Sequence, residues 1–212
     1  MSASGGGRAL SICVFCGSAE SPPEVFVDTA WQLGEEIGRR GHRLIYGGTP
    51  IGLMGVVARA VRANGGPVVG VVPRGLFDDL IIDGSAGELV VAHTLAERKA
   101  EMVARADAFV VLPGGYGTLE ELVEVLTLRQ LGLHTRPVVL INVEDFWQSF
   151  LQHIHHMTIL GFAQTGEGLL FRVVDLASRG IDLVEAAVTR EPVGTPPEPA
   201  RSCSDREPLR LA

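Results

Sequence analysis

Lysine is nearly absent from this sequence. Lys99 is the only lysine, and the other cationic side chains are arginines. Chemistry that forms a Schiff base with a lysine could therefore use no other position. Positive charge is scarce overall, since the net charge is −7 and the pI is about 5.4. This balance argues against a nucleic-acid partner or an anionic membrane surface.

Long hydrophobic runs and a secretory leader are missing as well. No apolar run approaches the length of a membrane span. The first residues, MSASGGGR, lack the apolar core of a secretory signal. We therefore expect a cytoplasmic protein without a membrane partner. The 212 residues, 46% of them hydrophobic and 20% charged, are typical of one globular domain that buries a sizeable core.

The three cysteines are too few for a disulfide framework. Cys13 and Cys16 have the C-x-x-C spacing of redox and metal sites, but they lie in the apolar run LSICVFCGS. Residues three apart on a strand point to opposite faces, whereas a redox pair normally opens a helix. We interpret both as small buried residues. His153, His155 and His156 lie on a predicted helix, where only His153 and His156 share a face and no third ligand is apparent nearby. We expect neither a metal nor a cofactor.

Short apolar runs alternate with helical patterns along most of the chain. The apolar, β-branched runs are at 10–16, 43–46, 68–72, 89–92, 108–112 and 137–142. The helical patterns are at 24–40, 52–64, 95–106, 118–131, 146–160 and 171–188. This alternation predicts an α/β fold with a single Rossmann-like, doubly wound domain over 9–190, in which a mainly parallel sheet carries helices on both faces.

Three segments fall outside this pattern. We expect residues 1–8 and the proline-rich tail 191–212 to be disordered, because they carry little apolar surface. Residues 73–88, PRGLFDDLIIDGSAGE, interrupt the alternation of strands and helices. We expect this segment to be a functional loop.

Glycine-rich turns follow three of the predicted strands: CGSAES (16–21), YGGTPIGLMG (46–55) and PGGYGTLEE (113–121). Ligands of such sheets bind beyond the carboxyl ends of the strands, so three turns at one edge predict a nucleotide or sugar-phosphate site. Taken singly, each could be merely a tight strand-to-helix turn. None matches the P-loop or the dinucleotide fingerprint, which disfavours ATP hydrolysis and NAD binding.

The third turn carries the most chemistry. Its glycines leave backbone N–H groups bare, and the helix predicted from Thr118 would aim its N-terminus at the same place, which suits a monophosphate. Glu121 has two interpretations. It could complete a capping box that begins at Thr118, or it could be a catalytic carboxylate. Glu120 is turned about 100° from Glu121 on the helix, so the two cannot both face one ligand.

The helix predicted before that strand carries the dibasic pair Arg98-Lys99 and begins with another capping-box pattern, Thr94 to Glu97. Such a pair is usually a solvated helix face. Here it is the only dibasic step that directly precedes the glycine-rich strand exit. A cation at this place would offset the repulsion between a phosphate and the carboxylates.

The segments ERKAEM (97–102) and LPGGYGTLEELVEVLTLRQLG (112–132) are similar to the LONELY GUY (LOG) family. Its members are cytokinin riboside 5′-monophosphate phosphoribohydrolases, often labelled lysine decarboxylases. The resemblance covers roughly residues 10–185, since it also includes VFCGS (14–18), YGGTPIGLMG (46–55), GVVPRGL (70–76) and GFAQ (161–164). Family members commonly have Met-His where this chain has Leu95-Ala96.

The resemblance implies that water splits the N-glycosidic bond of a nucleoside 5′-monophosphate, AMP included. The products would be ribose 5-phosphate and an adenine-type base with an isoprenoid-like group on its exocyclic amine. The resemblance further implies a homodimer and a catalytic pair, Arg98 and Glu121. Together with the three turns it gives the expected substrate-binding residues: Gly17, Ser18, Gly47, Gly48, Met54, Arg98, Lys99, Gly114, Gly115, Tyr116, Gly117, Thr118, Leu119, Glu120, Glu121 and Thr127.

Physical chemistry makes this assignment coherent. Cleavage of a glycosidic bond builds positive charge on the ribose, which a carboxylate stabilises, while the glycine turn serves the phosphate. Two other functions stay open. A nucleotide-binding or carrier module on the same fold could dispense with Arg98 and Glu121. A pyridoxal-phosphate decarboxylase would have to use Lys99.

Overall fold

The computed structural model describes residues 8–75, 87–163 and 170–190. Its strands are β1 (Ser11–Phe15), β2 (Arg43–Tyr46), β3 (Val68–Pro73), β4 (Glu88–Ala92), β5 (Ala108–Val111), β6 (Val138–Ile141) and β7 (Arg172–Val174). Its helices are α1 (Glu24–Arg39), α2 (Gly52–Ala63), α3 (Leu95–Arg105), α4 (Tyr116–Gln130), α5 (Gln148–Ile159) and α6 (Ala177–Arg190), and a short 3-10 turn spans Val143–Asp145.

The seven strands form one sheet in the order β4-β3-β2-β1-β5-β6-β7, and every pair of neighbours is parallel. Strand β1 is central, with β2 on one side and β5 on the other, so the strand order reverses at β1. In a doubly wound sheet the ligand crevice lies beyond the carboxyl ends at this reversal. The predicted glycine turns therefore share one edge of the sheet.

Helices cover both faces of the sheet. α1, α2 and α6 pack on one face through side chains such as Leu33 and Ile181. α3 and α4 pack on the other through side chains such as Met102 and Leu122, and α5 joins them. The strands are apolar on both sides because neither face meets water. The doubly wound α/β architecture predicted from the sequence is confirmed.

Cys13 in β1 and Cys16, directly after the strand, lie on opposite faces of the sheet. Cys13 lies in the apolar cluster beneath α3 and α4, and Cys16 lies in the cluster beneath α1 and α2. Both are buried free thiols. Burial raises the pKa of both thiols, which keeps them protonated. The interpretation of the C-x-x-C spacing as two small buried residues is confirmed.

The prediction of one helix over 171–188 is wrong at its start. Residues Arg172–Val174 form β7, the edge strand beside β6, and α6 begins only at Ala177. Val173 and Val174 are β-branched and pair with Leu140 and Ile141. The three-residue strand is too short to show a period in the sequence, so the helical pattern of α6 masked it.

Three predicted segments lie wholly or largely outside the described residues, namely the N-terminus 1–8 except for its last residue, most of the loop 73–88, and the tail 191–212. Within the part of the chain that the structure describes, no helix is long and apolar enough to cross a bilayer.

Candidate active site

The three glycine-rich turns are joined to one another by backbone hydrogen bonds. The N–H of Gly17, after β1, donates to the carbonyl of Pro113, after β5, over 3.0 Å. The N–H of Leu53, at the start of α2, donates to the carbonyl of Gly17 over 3.0 Å. The first turn is therefore fixed between the other two. The predicted convergence of the turns on one edge of the sheet is present.

The glycines of these turns have different physical reasons to be glycine. A Cβ atom on Gly114 would lie 2.1 Å from Thr118 Oγ1, and one on Gly17 would lie 3.2 Å from the Cα atom of Gly114, so these two turns pack backbone against backbone. A Cβ atom on Gly115 or Gly117 would meet nothing within 4 Å. The backbone at Gly115 and Gly117 is thus bare toward open space, where a ligand can approach it.

Helix α4 begins two residues earlier than the sequence pattern predicts. Its N-cap is Gly115, and no side chain caps it. Thr118 is consequently the third helical residue and is buried, not the N-cap. The capping-box interpretation of Thr118 and Glu121 is therefore wrong. The first N–H groups of α4 stay without a side-chain cap, which is the arrangement that binds anions at helix N-termini.

Helices α1 and α2, which begin beside the other two turns, share this property. The N-caps of α1 and α2 are Pro23 and Ile51, and neither cap makes a side-chain hydrogen bond. Helix α3 differs, because its N-cap Thr94 accepts from the N–H of Glu97 over 3.1 Å, as the predicted capping box requires. Three uncapped helix ends thus surround the glycine turns with partial positive charge.

A cavity of about 620 Å³ lies among these helix ends. Its polar side is made of the glycine turns, and its apolar side includes Phe26 and Phe146, whose rings pack edge to face with centroids 5.8 Å apart. The lining residues are Gly17, Ser18, Ala19, Ser21, Pro22, Pro23, Phe26, Leu53, Pro113, Gly114, Gly115 and Phe146. None of these described lining residues has a charged side chain. No sequence pattern pointed to the two phenylalanines, which lie far apart in the chain.

Arg98 of α3 and Glu121 of α4 form a buried ion pair. Arg98 Nη1 donates to Glu121 Oε1 over 3.0 Å, and each side chain is only 11% exposed. Arg98 Nε also donates to the carbonyl of Val71 in β3, over 2.9 Å. This acceptor is a backbone atom, so sequence reasoning could not have found it. The guanidinium group is held in one orientation between a strand end and α4.

Burial raises the pKa of the Glu121 carboxyl, and the positive charge of Arg98 partly opposes this shift. A carboxylate in this environment is a stronger base than one in water. The cation beside it favours its ionised form. Both properties suit a group that accepts a proton or faces a developing cation.

Lys99 makes a parallel set of ion pairs with the same helix. Its Nζ lies 2.6 Å from Glu120 Oε1 and 2.8 Å from Glu124 Oε2. The hydrogen bonds that Lys99 donates to Glu120 and Glu124 raise the pKa of its ammonium and hold it as a cation. Glu120 itself is 64% exposed and turned away from Glu121, as the helical geometry predicts. Glu124 is a contact that sequence reasoning missed, although its spacing of four from Glu120 places both on one helix face.

The other predicted binding residues fall into two groups. Gly47 and Met54 lie beside Arg98, since a Cβ atom on Gly47 would be 2.1 Å from Arg98 Nη2 and 2.7 Å from Met54 Sδ. Gly48 follows Gly47 with a positive φ of 80°. Thr127 lies apart from them, about 9 Å along α4 from Glu121. It is exposed, and its hydroxyl donates to the carbonyl of Val123.

The outer face of α4 is apolar and exposed. Tyr116, Leu119 and Val123 lie on it at spacings of three and four residues, together with Thr127, and Tyr116 is 94% exposed. The opposite face of the helix, with Leu122 and its neighbours, packs on the sheet. Helix α4 thus has two apolar faces, of which the chain covers one.

The described ranges contain no group of three or more His, Cys, Asp or Glu side chains placed to hold a metal ion. His153, His155 and His156 lie on α5.

A doubly wound sheet with bare glycine turns at its carboxyl edge, next to a buried carboxylate and arginine, defines an α/β nucleotide-binding protein with groups suited to acid–base chemistry. Over residues 54–184 the chain matches the family described as possible lysine decarboxylase. It is 46% identical over 158 residues to cytokinin riboside 5′-monophosphate phosphoribohydrolase LOG2 of Arabidopsis thaliana, a match that covers 74% of each chain. It is 48% identical over 155 residues to LOG of Oryza sativa subsp. japonica, which bears the same enzyme name, over 73% of this chain and 64% of that one. The chain belongs to the LOG family of phosphoribohydrolases.

Solved structures of more distant proteins share the fold. The molybdenum cofactor binding protein from the phototrophic bacterium Rippkaea orientalis matches with a TM-score of 0.66 at 20% identity, over 85% of this chain and 98% of that one. The Moco carrier protein from Chlamydomonas reinhardtii matches with a TM-score of 0.66 at 22% identity, over 87% of this chain and all of that one. Identities this low show the likeness of the fold alone.

Proposed function

We propose that this protein hydrolyses the N-glycosidic bond of cytokinin riboside 5′-monophosphates, and of AMP, releasing the free base and ribose 5-phosphate. The observation that carries the proposal is the buried pair of Arg98 and Glu121 beside the glycine turn. Membership of the LOG family supports the choice of substrate.

The phosphate end of the substrate fits the start of α4. The N–H groups there have no side-chain cap, and the backbone at Gly115 and Gly117 is open to a ligand. A dianionic phosphate would accept hydrogen bonds from these N–H groups and interact favourably with the positive end of the helix. The first turn, with Gly17 and Ser18, lies against the same place.

The sugar end fits Glu121, one and a half helical turns further along. When water attacks C1′, the bond from C1′ to the base nitrogen breaks, and positive charge builds on the ribose. The base leaves with the electron pair of that bond and takes up one proton from the solvent. The Glu121 carboxylate would stabilise that charge and take a proton from the attacking water. Arg98, held by Val71 and Glu121, would keep the carboxylate ionised and in line. The phosphate anion would thus interact with the positive end of α4, and the cation that develops on the ribose would interact with the Glu121 carboxylate.

The active unit is proposed to be a homodimer that pairs the outer faces of α4. A second copy would cover the exposed apolar stripe of Tyr116, Leu119 and Val123. The contact would be two-fold and isologous. Such pairing also gives a place to Thr127, which lies on the same stripe and away from the Glu121 of its own chain.

Two alternatives are weaker on specific grounds. A carrier module on this fold, as the Moco carrier protein illustrates, needs the turns but has no use for a buried arginine–carboxylate pair. A lysine-dependent decarboxylase would have to use Lys99, whose ammonium is held between Glu120 and Glu124. A Schiff-base lysine must lose its proton, and two adjacent carboxylates oppose that loss.

Comparison of isopentenyl-AMP with isopentenyladenosine, its counterpart without the phosphate, tests this function. Purified protein should release free isopentenyladenine from the monophosphate, detected by chromatography. It should release far less from the nucleoside, because the start of α4 then has no anion to bind. Equal release from both compounds, or release from neither, would contradict the proposal.

A further inference from the structure

Gly47 is a glycine for reasons that its own backbone does not explain. It directly follows β2 and precedes Gly48, whose φ of 80° favours glycine. Gly47 is not among the glycines with positive φ, so its backbone would accept an alanine without strain. What excludes a side chain is the neighbourhood. A Cβ atom would lie 2.1 Å from Arg98 Nη2, 3.3 Å from Arg98 Cζ and 2.7 Å from Met54 Sδ.

Arg98 cannot give way at Gly47 without losing its other contacts. Its Nε donates to the carbonyl of Val71 over 2.9 Å, and its Nη1 donates to Glu121 over 3.0 Å. The guanidinium group is planar and rigid, so a shift at Nη2 moves Nε and Nη1 with it. The side chain is also 11% exposed, which leaves it little free space to move into.

We propose that Gly47 is a positioning residue, whose missing side chain makes the space in which the Arg98 guanidinium lies in line with Glu121. This inference rests on the proposed function, because it assumes that Arg98 and Glu121 act together on the substrate. It assigns Gly47 a role through Arg98, where the sequence resemblance suggests substrate contact alone.

If Gly47 positions Arg98, its substitution should change the pH dependence of kcat as well as lower kcat. Several titratable groups influence the Glu121 carboxyl electrostatically: Arg98 and Lys99 from α3, the outward-turned Glu120 from its own helix, and the buried thiols of Cys13 and Cys16 from β1 and the turn after it. Of these, Arg98 is the cation in direct contact with the carboxylate. If the guanidinium is displaced, its positive charge counters less of the effect of burial on the Glu121 carboxyl, and the pKa of Glu121 rises further. The acidic limb of the kcat profile would move to higher pH.

Gly47→Ala tests the proposal, with Gly180→Ala as its matched control. Gly180 lies on α6, where a Cβ atom would make only ordinary contacts at 3.7 Å with Ile141, Val139 and Val174. We expect Gly47→Ala to lower kcat on isopentenyl-AMP by at least ~10-fold, since a misplacement of about 1 Å can cost ~100-fold. Its acidic limb should lie at higher pH than that of the wild type. Gly180→Ala should match the wild type in both respects. Near-normal kcat with an unmoved acidic limb in Gly47→Ala overturns the proposal.

A second comparison places Gly47→Ala in an Arg98→Lys background. It includes a measurement of the melting temperature, so it remains decisive if Gly47→Ala folds poorly. Lysine is slimmer than arginine and has no atom equivalent to Nη2, so Gly47→Ala should be much less harmful in an Arg98→Lys background. The melting temperature and the residual activity should both show this relief. If Gly47→Ala is equally harmful in both backgrounds, the glycine is needed for the fold and the inference fails. The inference also fails if Met54→Ala relieves the defect and Arg98→Lys does not, because the side chain at 47 would then clash with Met54. That result would leave the proposed function intact, since the function is tested by the wild-type protein alone.

Discussion

Glu121→Gln separates the proposed chemistry from the packing of α4. The substitution keeps the size of the side chain and leaves an oxygen that can still accept from Arg98, but it removes the negative charge and the base. The N-cap position of α4 is Gly115, so Glu121 has no capping role whose loss could confuse the result. A change in turnover would therefore report the chemistry of the carboxylate.

The expected loss is large because the site is nearly dry. The Glu121 and Arg98 side chains are both 11% exposed, so bulk water can do little to stabilise the positive charge on the ribose once the carboxylate is gone. A positioned general base contributes roughly 100-fold to 10,000-fold to a rate. We expect turnover to fall by at least ~100-fold, which corresponds to about 2.7 kcal/mol of activation free energy. Affinity for AMP should change much less, because the proposed phosphate site is the start of α4 and not Glu121.

The assay follows release of isopentenyladenine by chromatography, with AMP affinity measured by calorimetry and the fold checked by thermal melting. Glu120→Gln is the comparison, because Glu120 is exposed and its partner Lys99 keeps a second carboxylate, Glu124. Its loss of turnover should stay below ~10-fold, as for an exposed ion pair. If Glu121→Gln turns over as well as Glu120→Gln, the reasoning about the buried carboxylate is refuted.

The remaining predictions concern the partner of Glu121, stability, assembly and cofactors. Arg98→Ala should also lower turnover strongly, and the double variant with Glu121→Gln should be little worse than either single variant in the same assay; additive losses would show that the two residues act independently. Burial lowers the pKa of His134 to about 4 from its ordinary 6.5, so protonation favours the unfolded chain and stability is lost as pH falls below about 6.5, by roughly 2 kcal/mol at pH 5. Urea unfolding at pH 7 and pH 5 checks this, and His134→Gln should show a shallower pH dependence. Light scattering at micromolar concentration should give twice the chain mass of 22.6 kDa; a monomer would remove the proposed dimer. Turnover should survive exhaustive EDTA treatment and ignore added pyridoxal phosphate, and zinc-restored activity after chelation would show that a metal site had been discounted wrongly.

The fold could be predicted from the sequence because its signals are local. Strands such as β5, with AFVV fully buried, are continuous apolar runs that only a sheet covered on both faces explains. The glycine turns at the strand ends then placed the site at one edge. The strand β7 escaped prediction because its pairing partner, β6, lies far away in the sequence and three residues carry no period.

The candidate site was predictable only in part, since its residues are identified by motif but their partners are set by the tertiary fold. The spacing of Thr118 and Glu121 fits a capping box equally well, and only the observed start of α4 at Tyr116 decides against it. The carbonyl of Val71 and the space above Gly47, which fix Arg98, are features of packing that no motif records. The exposed stripe on α4 is likewise unremarkable in a list of residues until the covered face is known.

Product analysis of one reaction tests the central claim most directly. Wild-type protein is incubated with isopentenyl-AMP, and free base, ribose 5-phosphate, nucleoside and inorganic phosphate are all quantified. Hydrolysis of the N-glycosidic bond predicts one ribose 5-phosphate for each isopentenyladenine, with neither nucleoside nor inorganic phosphate. Isopentenyladenosine and inorganic phosphate in equal amounts, or unchanged substrate, would contradict the account.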